Sequence, residues 1–363
     1  MLFHMERIGS SISGWLTPDN PSEVPRVQII RPDGTSIDLN ANFFRPDLVE
    51  LKMHPTGNVG FQINNRIIPD FDEWIDKVEI RDAITGVTVY RAYNPAFHVS
   101  ERVFRFELRA MPYASVEAAW NKAFALYYNA VERHPFETFF GIMNNPAAQS
   151  LALSGRPSLH RYEQFFRDRH YKFVTVLRDP FEELAERLLF LRYALAHESR
   201  ISLRDHLTNL MDLRVITQRL DLSNFDSFYE AFSYLTDRQI EELSNPLVKA
   251  LACNTEDPLP RAHHIQVALN KLSTFDLVGT YPNFAEFKSS LIELLGRDIL
   301  GNETLVNIEP LSGIVAELKN IKRAKQLVAH DIQLYEFASK AVKRAVDSTN
   351  DYHYSEKAHA QSA

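Results

Sequence analysis

The chain has 363 residues, of which 45% are hydrophobic, 11% aromatic and 24% charged, as expected of a soluble globular protein long enough for two domains. The net charge of −7 argues against a protein whose main task is binding nucleic acid, because a phosphate backbone attracts a basic surface. A single cysteine, the lack of a signal peptide and the lack of any apolar window of membrane-spanning length predict a cytoplasmic protein with no membrane span.

The first quarter of the chain consists of short β-type runs separated by Pro-Asp-Gly, Pro-Thr-Gly and Ala-Ile-Thr-Gly turn signals. These runs are 26–30, 36–39, 60–63, 77–81 and 87–90. Strands of this length and spacing predict a small all-β sandwich or barrel over residues 1–95.

After residue 100 the pattern changes to long helical periods with few strand-like runs, at 102–108, 172–177 and 275–279. Helices that dominate around a few apolar strands predict a three-layer α/β domain over 100–346. The last stretch, 347–363, is polar and is expected to be disordered.

The most informative segment is the apolar, β-branched run 172–177, which is followed at once by Arg178, Asp179 and Pro180. Asp179 is placed to cap a helix and Pro180 suits its first position, while apolar residues recur behind them at helical spacing. Arg178 is therefore predicted at the carboxyl edge of a strand beside a helix N-terminus, where open α/β sheets bind anions. The alternative is that Arg178 simply pairs with a nearby carboxylate.

The N-terminal part also resembles a known module. The segments 14–21, 45–48 and 57–61 are similar to a small β domain that accompanies bacterial glycosyltransferases and sulfotransferases of cell-surface polysaccharide assembly. Trp15 is expected in the core of this domain, since large aromatic side chains dominate core packing. An exposed Trp15 that stacks on sugars is the alternative.

The segment 177–192 resembles the second cofactor motif of the sulfotransferase superfamily, particularly its polysaccharide 2-O-sulfotransferase branch. Two later segments, 272–279 and 331–338, resemble that family's later strand and its C-terminal helix. The resemblance covers about residues 100–345 and implies a P-loop-like α/β fold that binds the sulfate donor PAPS. In the family, an Arg and a Ser of the motif hold the 3′-phosphate of PAPS, and Arg178 has the first of these roles.

The chain departs from the family at two places. The family's serine falls at Glu186, whose carboxylate would repel a phosphate, and Arg187 beside it is the residue that could compensate. The family's Lys-containing, Gly/Ser/Thr-rich loop corresponds to 109–120, which has neither glycine nor lysine. Arg109 could supply the positive charge there and Ser115 the hydroxyl.

Sulfuryl transfer needs a base that takes the proton of the acceptor hydroxyl. His160 is the first candidate, because the family often carries a His in the loop before this strand; the alternative is a histidine of a surface loop. Glu107 is the second, unless it only neutralises Arg109 or Arg178. His263 and His264 do not indicate a metal site, because adjacent helical positions point about 100° apart.

The resemblance implies an enzyme that moves sulfate from PAPS to a carbohydrate hydroxyl in cell-surface polysaccharide modification. One alternative is a degenerate, non-catalytic sulfotransferase fold that serves as a carbohydrate-binding or assembly component. The other is a transferase that uses a different phosphorylated donor. Glu186 and the glycine-free loop favour the alternatives, whereas Arg178 and Arg109 favour the enzyme.

Overall fold

The computed structural model describes residues 1–111, 113–197, 213–221, 224–254, 259–305 and 309–361. The chain forms two compact units, each built from three segments. The first unit comprises Met1–Val103, Ala118–Ser154 and Phe165–Tyr171, and the second comprises Phe104–Glu117, Gly155–Gln164 and Lys172–Ala363. The sequence predicts instead a single division between residues 95 and 100.

The N-terminal region of the first unit contains two antiparallel sheets, with strand orders β1-β2-β5 and β4-β3-β6-β7. The strands are β1 (Leu2–Ile8), β2 (Ser11–Thr17), β3 (Arg26–Ile30), β4 (Ser36–Asn40), β5 (Gly60–Ile63), β6 (Glu79–Asp82) and β7 (Thr88–Arg91). Two short helices, α1 (Pro46–Glu50) and α2 (Phe71–Trp74), lie between them. The predicted β-sheet structure of this region is confirmed, and the two short helices depart from the all-β prediction.

Strand β2 shows which of its faces is buried. Ile12, Gly14 and Leu16 are buried, whereas the alternating Trp15 is only half-buried. Because successive side chains of a strand point to opposite faces, Trp15 lies on the other face from these three residues. Its intermediate burial matches neither full burial in the core nor full exposure.

The α/β region contains a five-stranded parallel sheet with the strand order β12-β11-β8-β10-β9. Its strands are β8 (Arg102–Phe106), β9 (Leu126–Tyr128), β10 (Leu151–Gly155), β11 (Lys172–Leu177) and β12 (Leu277–Thr280). The helices α3 (Ala114–Ala123), α4 (Phe136–Met143), α5 (Leu159–Asp168) and α6 (Pro180–Ala196) connect or follow these strands. The predicted α/β character of the larger part of the chain is thus confirmed.

The remaining helices belong to the second unit. They are α7 (Arg214–Arg219), α8 (Asp226–Ser233), α9 (Asp237–Leu243), α10 (Pro246–Ala252), α11 (Ala262–Leu272), α12 (Phe284–Leu295), α13 (Glu309–Leu318), α14 (Lys322–Leu327) and α15 (Ala329–Gln361). Helix α15 continues through 347–361, a stretch for which the sequence predicts disorder. In the described part of the chain, no helix is both long and apolar enough to cross a membrane.

Helix α6 is at the centre of the core of the second unit. Its buried Leu184, Leu188 and Leu191 pack in one apolar cluster with residues of α8 and α13, such as Phe228 and Leu311. Burial of this stripe on α6 is what the helical spacing of its apolar residues predicts.

The junction between β11 and α6 has the predicted form. Asp179 is the N-cap of α6, and its carboxylate accepts a hydrogen bond of 2.8 Å from the N–H of Phe181. Pro180 occupies the first helical position, where its missing N–H costs nothing. The last residue of β11 is Leu177, so Arg178 stands between the strand and the cap. The predicted strand, cap and helix are confirmed.

Candidate functional site

Arg178 is buried, with 6% of its surface exposed, and is held on several sides. Its Nε donates to Glu182 at 2.8 Å, its Nη1 donates to Glu186, and its guanidinium lies 4.7 Å from the ring centre of Tyr281. Burial opposes the charge of Arg178, but Tyr281, Glu186 and Glu182 outweigh it and raise the pKa above its usual value. The guanidinium is therefore permanently charged and already neutralised by two carboxylates of the following helix, α6.

Glu186 is fully buried and accepts hydrogen bonds from both parts of the predicted donor site. One carboxylate oxygen accepts from Arg178 and, at 3.4 Å, from the Tyr113 hydroxyl, and the other accepts from the N–H of Met111 at 3.3 Å. Met111 and Tyr113 belong to the loop between β8 and α3, which corresponds to the donor-binding loop implied by the resemblance. The loop and Arg178 do converge, and the anion between them is a side chain of the protein itself.

Arg109 and Glu107 form a second, partly buried ion pair at the start of the same loop. Arg109 Nη2 donates to Glu107 at 2.5 Å, and the backbone N–H of Arg109 donates to the other carboxylate oxygen at 3.1 Å. Burial alone would raise the pKa of Glu107, but Arg109 and Arg105 hold it below its usual value. A carboxylate with a lowered pKa is a weak base, so the geometry favours the neutralising role of Glu107 over the catalytic one.

The guanidinium of Arg109 retains one unused donor. It lies 4.2 Å from the ring centre of Tyr113, with only 6% of the side chain exposed. Its buried Nη1 has no hydrogen-bond partner among the described residues. A buried cationic donor without an acceptor is uncommon, because its desolvation is uncompensated.

Two predicted site residues lie apart from these ion pairs. Ser115 is exposed in the first turn of α3, and His160 is exposed in the first turn of α5. No contact of the described residues joins either side chain to Arg178 or Arg109. The exposure of His160 agrees with the alternative that it is a surface histidine.

Arg187 is buried on α6, but its described hydrogen bond leads elsewhere. Its Nη1 donates to the carbonyl oxygen of Glu242 at 3.4 Å, and its Nη2 has no hydrogen-bond partner in the described part of the chain. Burial and the nearby charge of Arg156 lower the pKa of Arg187 to about 10. The sequence predicts that Arg187 compensates the negative charge of Glu186. No contact of the described residues joins Arg187 to that carboxylate.

Two buried acids that the sequence does not single out lie close to this region. Glu183 is 8% exposed, and burial together with Glu186 raises its pKa to about 8. Asp331 is 2% exposed, and burial raises its pKa to about 7 although it accepts hydrogen bonds from the N–H groups of Leu247 and Val248. Both acids line a small cavity of about 20 Å³, which is large enough for a water molecule. The only feature of the sequence that could have indicated these buried acids is an acidic residue within an apolar helical stripe.

Arg178 also lines an open pocket of about 430 Å³. Its polar lining combines hydroxyl, carboxylate and aromatic groups, and its apolar lining comes from leucine, valine and proline side chains. The polar members are Arg178, Asp179, Glu182, Tyr281, Ser312 and Tyr335. With two carboxylates and one guanidinium, this lining is poorly suited to a polyanion.

Among the residues that the structure describes, no group of three or more His, Cys, Asp or Glu side chains is arranged to hold a metal ion.

Comparisons with known proteins leave the resemblance without independent support. The chain matches no protein-family model and no curated protein.

Proposed function

We propose that this protein has a sulfotransferase-like fold whose donor site is closed by Glu186, and that it acts as a carbohydrate-binding component of cell-surface polysaccharide assembly. The proposal includes a P-loop-like α/β domain that follows a β sandwich. The observation that carries it is the buried carboxylate of Glu186, which accepts hydrogen bonds from Arg178, Met111 and Tyr113.

Electrostatics supports a closed donor site. A 3′-phosphate at Arg178 would have to approach the carboxylates of Glu186 and Glu182, both of which bind this guanidinium. Two like unit charges 4 Å apart repel each other by about 4 kcal/mol at an effective dielectric constant of about 20. The exposed positions of His160 and Ser115 also favour a protein without the transfer reaction.

The open pocket beside Arg178 supports a carbohydrate as the ligand. Carboxylates such as that of Glu182 accept hydrogen bonds from sugar hydroxyls. Hydroxyls such as those of Tyr335 and Ser312 can both donate to and accept from them. Aromatic rings offer an apolar surface against which the C–H groups of a sugar ring can pack. A volume of about 430 Å³ lies within the usual range for small-ligand pockets.

Calorimetric titration of the full-length protein tests both parts of the proposal. With 3′,5′-ADP, the desulfated donor product, we expect no heat of binding at ligand concentrations up to about 1 mM. A dissociation constant of about 1 mM corresponds to a binding free energy of about −4 kcal/mol. With neutral oligosaccharides we expect saturable binding that Tyr335→Ala weakens and that Tyr234→Ala, at an exposed tyrosine outside the pocket, leaves unchanged. Tight binding of 3′,5′-ADP that Arg178→Ala abolishes would overturn the closed-site proposal.

The second candidate is the sulfotransferase itself, with PAPS as donor and a carbohydrate as acceptor. The unpartnered Nη1 of buried Arg109 supports it, because an arriving phosphosulfate would supply the missing acceptor. In this case Glu186 gives way when the donor binds. Transfer of labelled sulfate from PAPS to a polysaccharide acceptor, lost in Arg109→Ala, is the expected result for this candidate. A transferase with a different phosphorylated donor would bind that donor in the same titration.

A further inference from the structure

A pocket of about 450 Å³ lies within the first unit. It is lined by residues of β1, β7 and β9, together with the segment 145–150 that follows α4. In the described part of the chain, each of these three strands is the last strand of its sheet. The pocket therefore lies where the edges of three sheets meet, and its volume is in the usual range for small-ligand pockets.

The wall that follows α4 is fixed by hydrogen bonds. Arg102 Nη2 donates to the carbonyl oxygen of Asn145 at 2.7 Å and to that of Ala148 at 3.0 Å. The hydroxyl of Ser150 accepts from the N–H of Ala125, just before β9, at 3.0 Å. A wall held in this way is formed before a ligand arrives, so that little conformational entropy is lost on binding.

The positively charged side chains of the pocket are paired within the protein. Arg7 forms an ion pair with Asp76, and Arg91 forms one with Glu79 at 2.9 Å. Glu6, which also lines the pocket, is exposed and negatively charged. Because both guanidinium groups already have a carboxylate partner, a ligand that carries phosphate or sulfate is disfavoured.

Several polar side chains of the pocket can still bond a ligand. The hydroxyls of Tyr90 and Tyr93 and the amide of Gln149 have no hydrogen-bond partner among the described residues. The carboxylate of Glu6 has only His4 beside it, at 3.7 Å. Burial raises the pKa of Tyr90, which therefore remains a neutral hydroxyl that both donates and accepts. Such a set of groups matches a ligand rich in uncharged hydroxyls.

Apolar surface lies between these polar groups. Met5, Val89 and Leu126 line the pocket and are buried, and the rings of Tyr90 and Tyr93 add aromatic surface. A sugar ring presents C–H groups on its faces and hydroxyls at its edge, so it uses both kinds of surface. A lipid or an apolar peptide would instead leave the tyrosine hydroxyls and the amide without partners, which costs free energy.

We propose that this pocket is a second carbohydrate site, which binds a neutral sugar residue. The rings of Tyr90 and Tyr93 pack against the C–H groups of the sugar, and their hydroxyls and the amide of Gln149 bond its hydroxyls. Glu6 accepts a further hydrogen bond at the rim. The proposal does not rest on the pocket beside Arg178, because all the residues that it uses belong to the first unit.

Saturation-transfer difference NMR of the full-length protein tests this proposal. The probes are the methyl glycosides of glucose, galactose, mannose and N-acetylglucosamine, each titrated alone. We expect saturable binding of at least one of them. Ala147 is exposed and lines the pocket, so the indole of Ala147→Trp should raise the dissociation constant at least about tenfold. Ala118→Trp, at an exposed alanine of α3 outside the pocket, is the matched control and should bind like the unmodified protein.

A second pair of variants tests a single hydrogen bond. Tyr93→Phe removes only a hydroxyl and should raise the dissociation constant about two- to tenfold, as expected for one hydrogen bond. Tyr234→Phe, at an exposed tyrosine outside the pocket, should leave it unchanged.

The same titrations in Tyr335→Ala separate the two carbohydrate sites. This change affects the pocket beside Arg178 and should leave binding in the first unit as it is. Binding that persists in Tyr335→Ala and is lost in Ala147→Trp supports the second site whether or not the first one binds a sugar.

Three results would overturn the proposal. One is the absence of saturable binding of all four glycosides in Tyr335→Ala up to about 10 mM. Another is binding that Ala147→Trp and Tyr93→Phe leave unchanged. The third is binding of inorganic phosphate or sulfate that Ala147→Trp abolishes and that the glycosides do not displace, which would indicate an anion site.

Discussion

The guanidinium of Arg178, just before the N-cap of α6, and the carboxylate of Glu186 within α6 form a buried ion pair. The two residues are eight positions apart, and 4% and 0% of their side chains are exposed. Arg178 also binds Glu182, one turn before Glu186. An arginine at the edge of such a sheet can bind an external anion. In this protein the charge of Arg178 is instead neutralised by Glu182 and Glu186.

This ion pair should be important for stability. We expect Arg178→Ala to lower the free energy of unfolding by about 3–5 kcal/mol, because it leaves the buried charge of Glu186 without its cation. Replacing both residues by apolar ones, in Arg178→Met with Glu186→Leu, should cost much less than the sum of the single changes. Urea denaturation of the three variants measures this coupling.

The control for this cycle is an exposed ion pair. Arg26 and Asp38 are about half exposed, with their charged atoms 3.7 Å apart. Arg26→Ala should change the free energy of unfolding by no more than about 0.5 kcal/mol. A similarly small effect of Arg178→Ala would contradict the assignment of a buried ion pair.

Glu183 should make stability fall as the pH rises. Its pKa in the folded protein is about 8, above the ordinary value of 4.5, so the folded protein keeps a proton that the unfolded chain releases. This contribution is fully present below about pH 4.5 and is lost as the pH rises to about 8. We expect Glu183→Gln, which is neutral at every pH, to flatten the dependence of the unfolding free energy on pH in this window.

Denaturation at a series of pH values checks this expectation. Glu230, which is exposed on α8, provides the control, and Glu230→Gln should leave the pH profile unchanged. Asp331 adds a contribution of the same sign that ends near pH 7. A profile of Glu183→Gln that is parallel to that of the unmodified protein would show that Glu183 is not buried as described.

The cap of α6 should contribute about 1 kcal/mol to stability. Asp179→Ala removes the acceptor of the Phe181 N–H, and such changes cost about 0.5–2 kcal/mol. Asp179→Asn keeps a side-chain oxygen at this position and should cost clearly less. Thermal unfolding of the two variants separates the cap from other effects of the substitution, and equal losses would exclude the cap as the cause.

Replacement of two glycines by alanine should change the free energy of unfolding in opposite directions. A Cβ at Gly60 would lie 2.5 Å from the carbonyl oxygen of Phe43, so Gly60→Ala requires a backbone shift. We expect a loss of at least about 1 kcal/mol, as for other overpacked sites. Gly313 lies within α13 with its nearest neighbour at 3.7 Å, so Gly313→Ala should stabilise by about 0.5–1 kcal/mol. Chemical denaturation measures both, and a stabilising Gly60→Ala would contradict the close approach at β5.

Local sequence was sufficient to predict β11, the Asp179 cap and α6, because strand propensity, capping and helical periodicity act within a few residues. It did not indicate β10, whose residues Leu151–Gly155 include Ala, Ser and Gly and carry no strand pattern. This segment is a strand because its neighbours β8 and β9 pair with it, and such pairing brings together residues distant in the chain.

The same distinction holds at the candidate site. The sequence by itself determined that Arg178 stands between a strand and a capped helix, and that an acidic residue, Glu186, follows on that helix. Only the tertiary structure decided that Met111, Tyr113 and Arg178 all bind the carboxylate of Glu186, whereas His160 and Ser115 lie exposed. The physical reason is that the partners of a buried charge are chosen by distance and burial in space, and neither can be read from spacing along the chain.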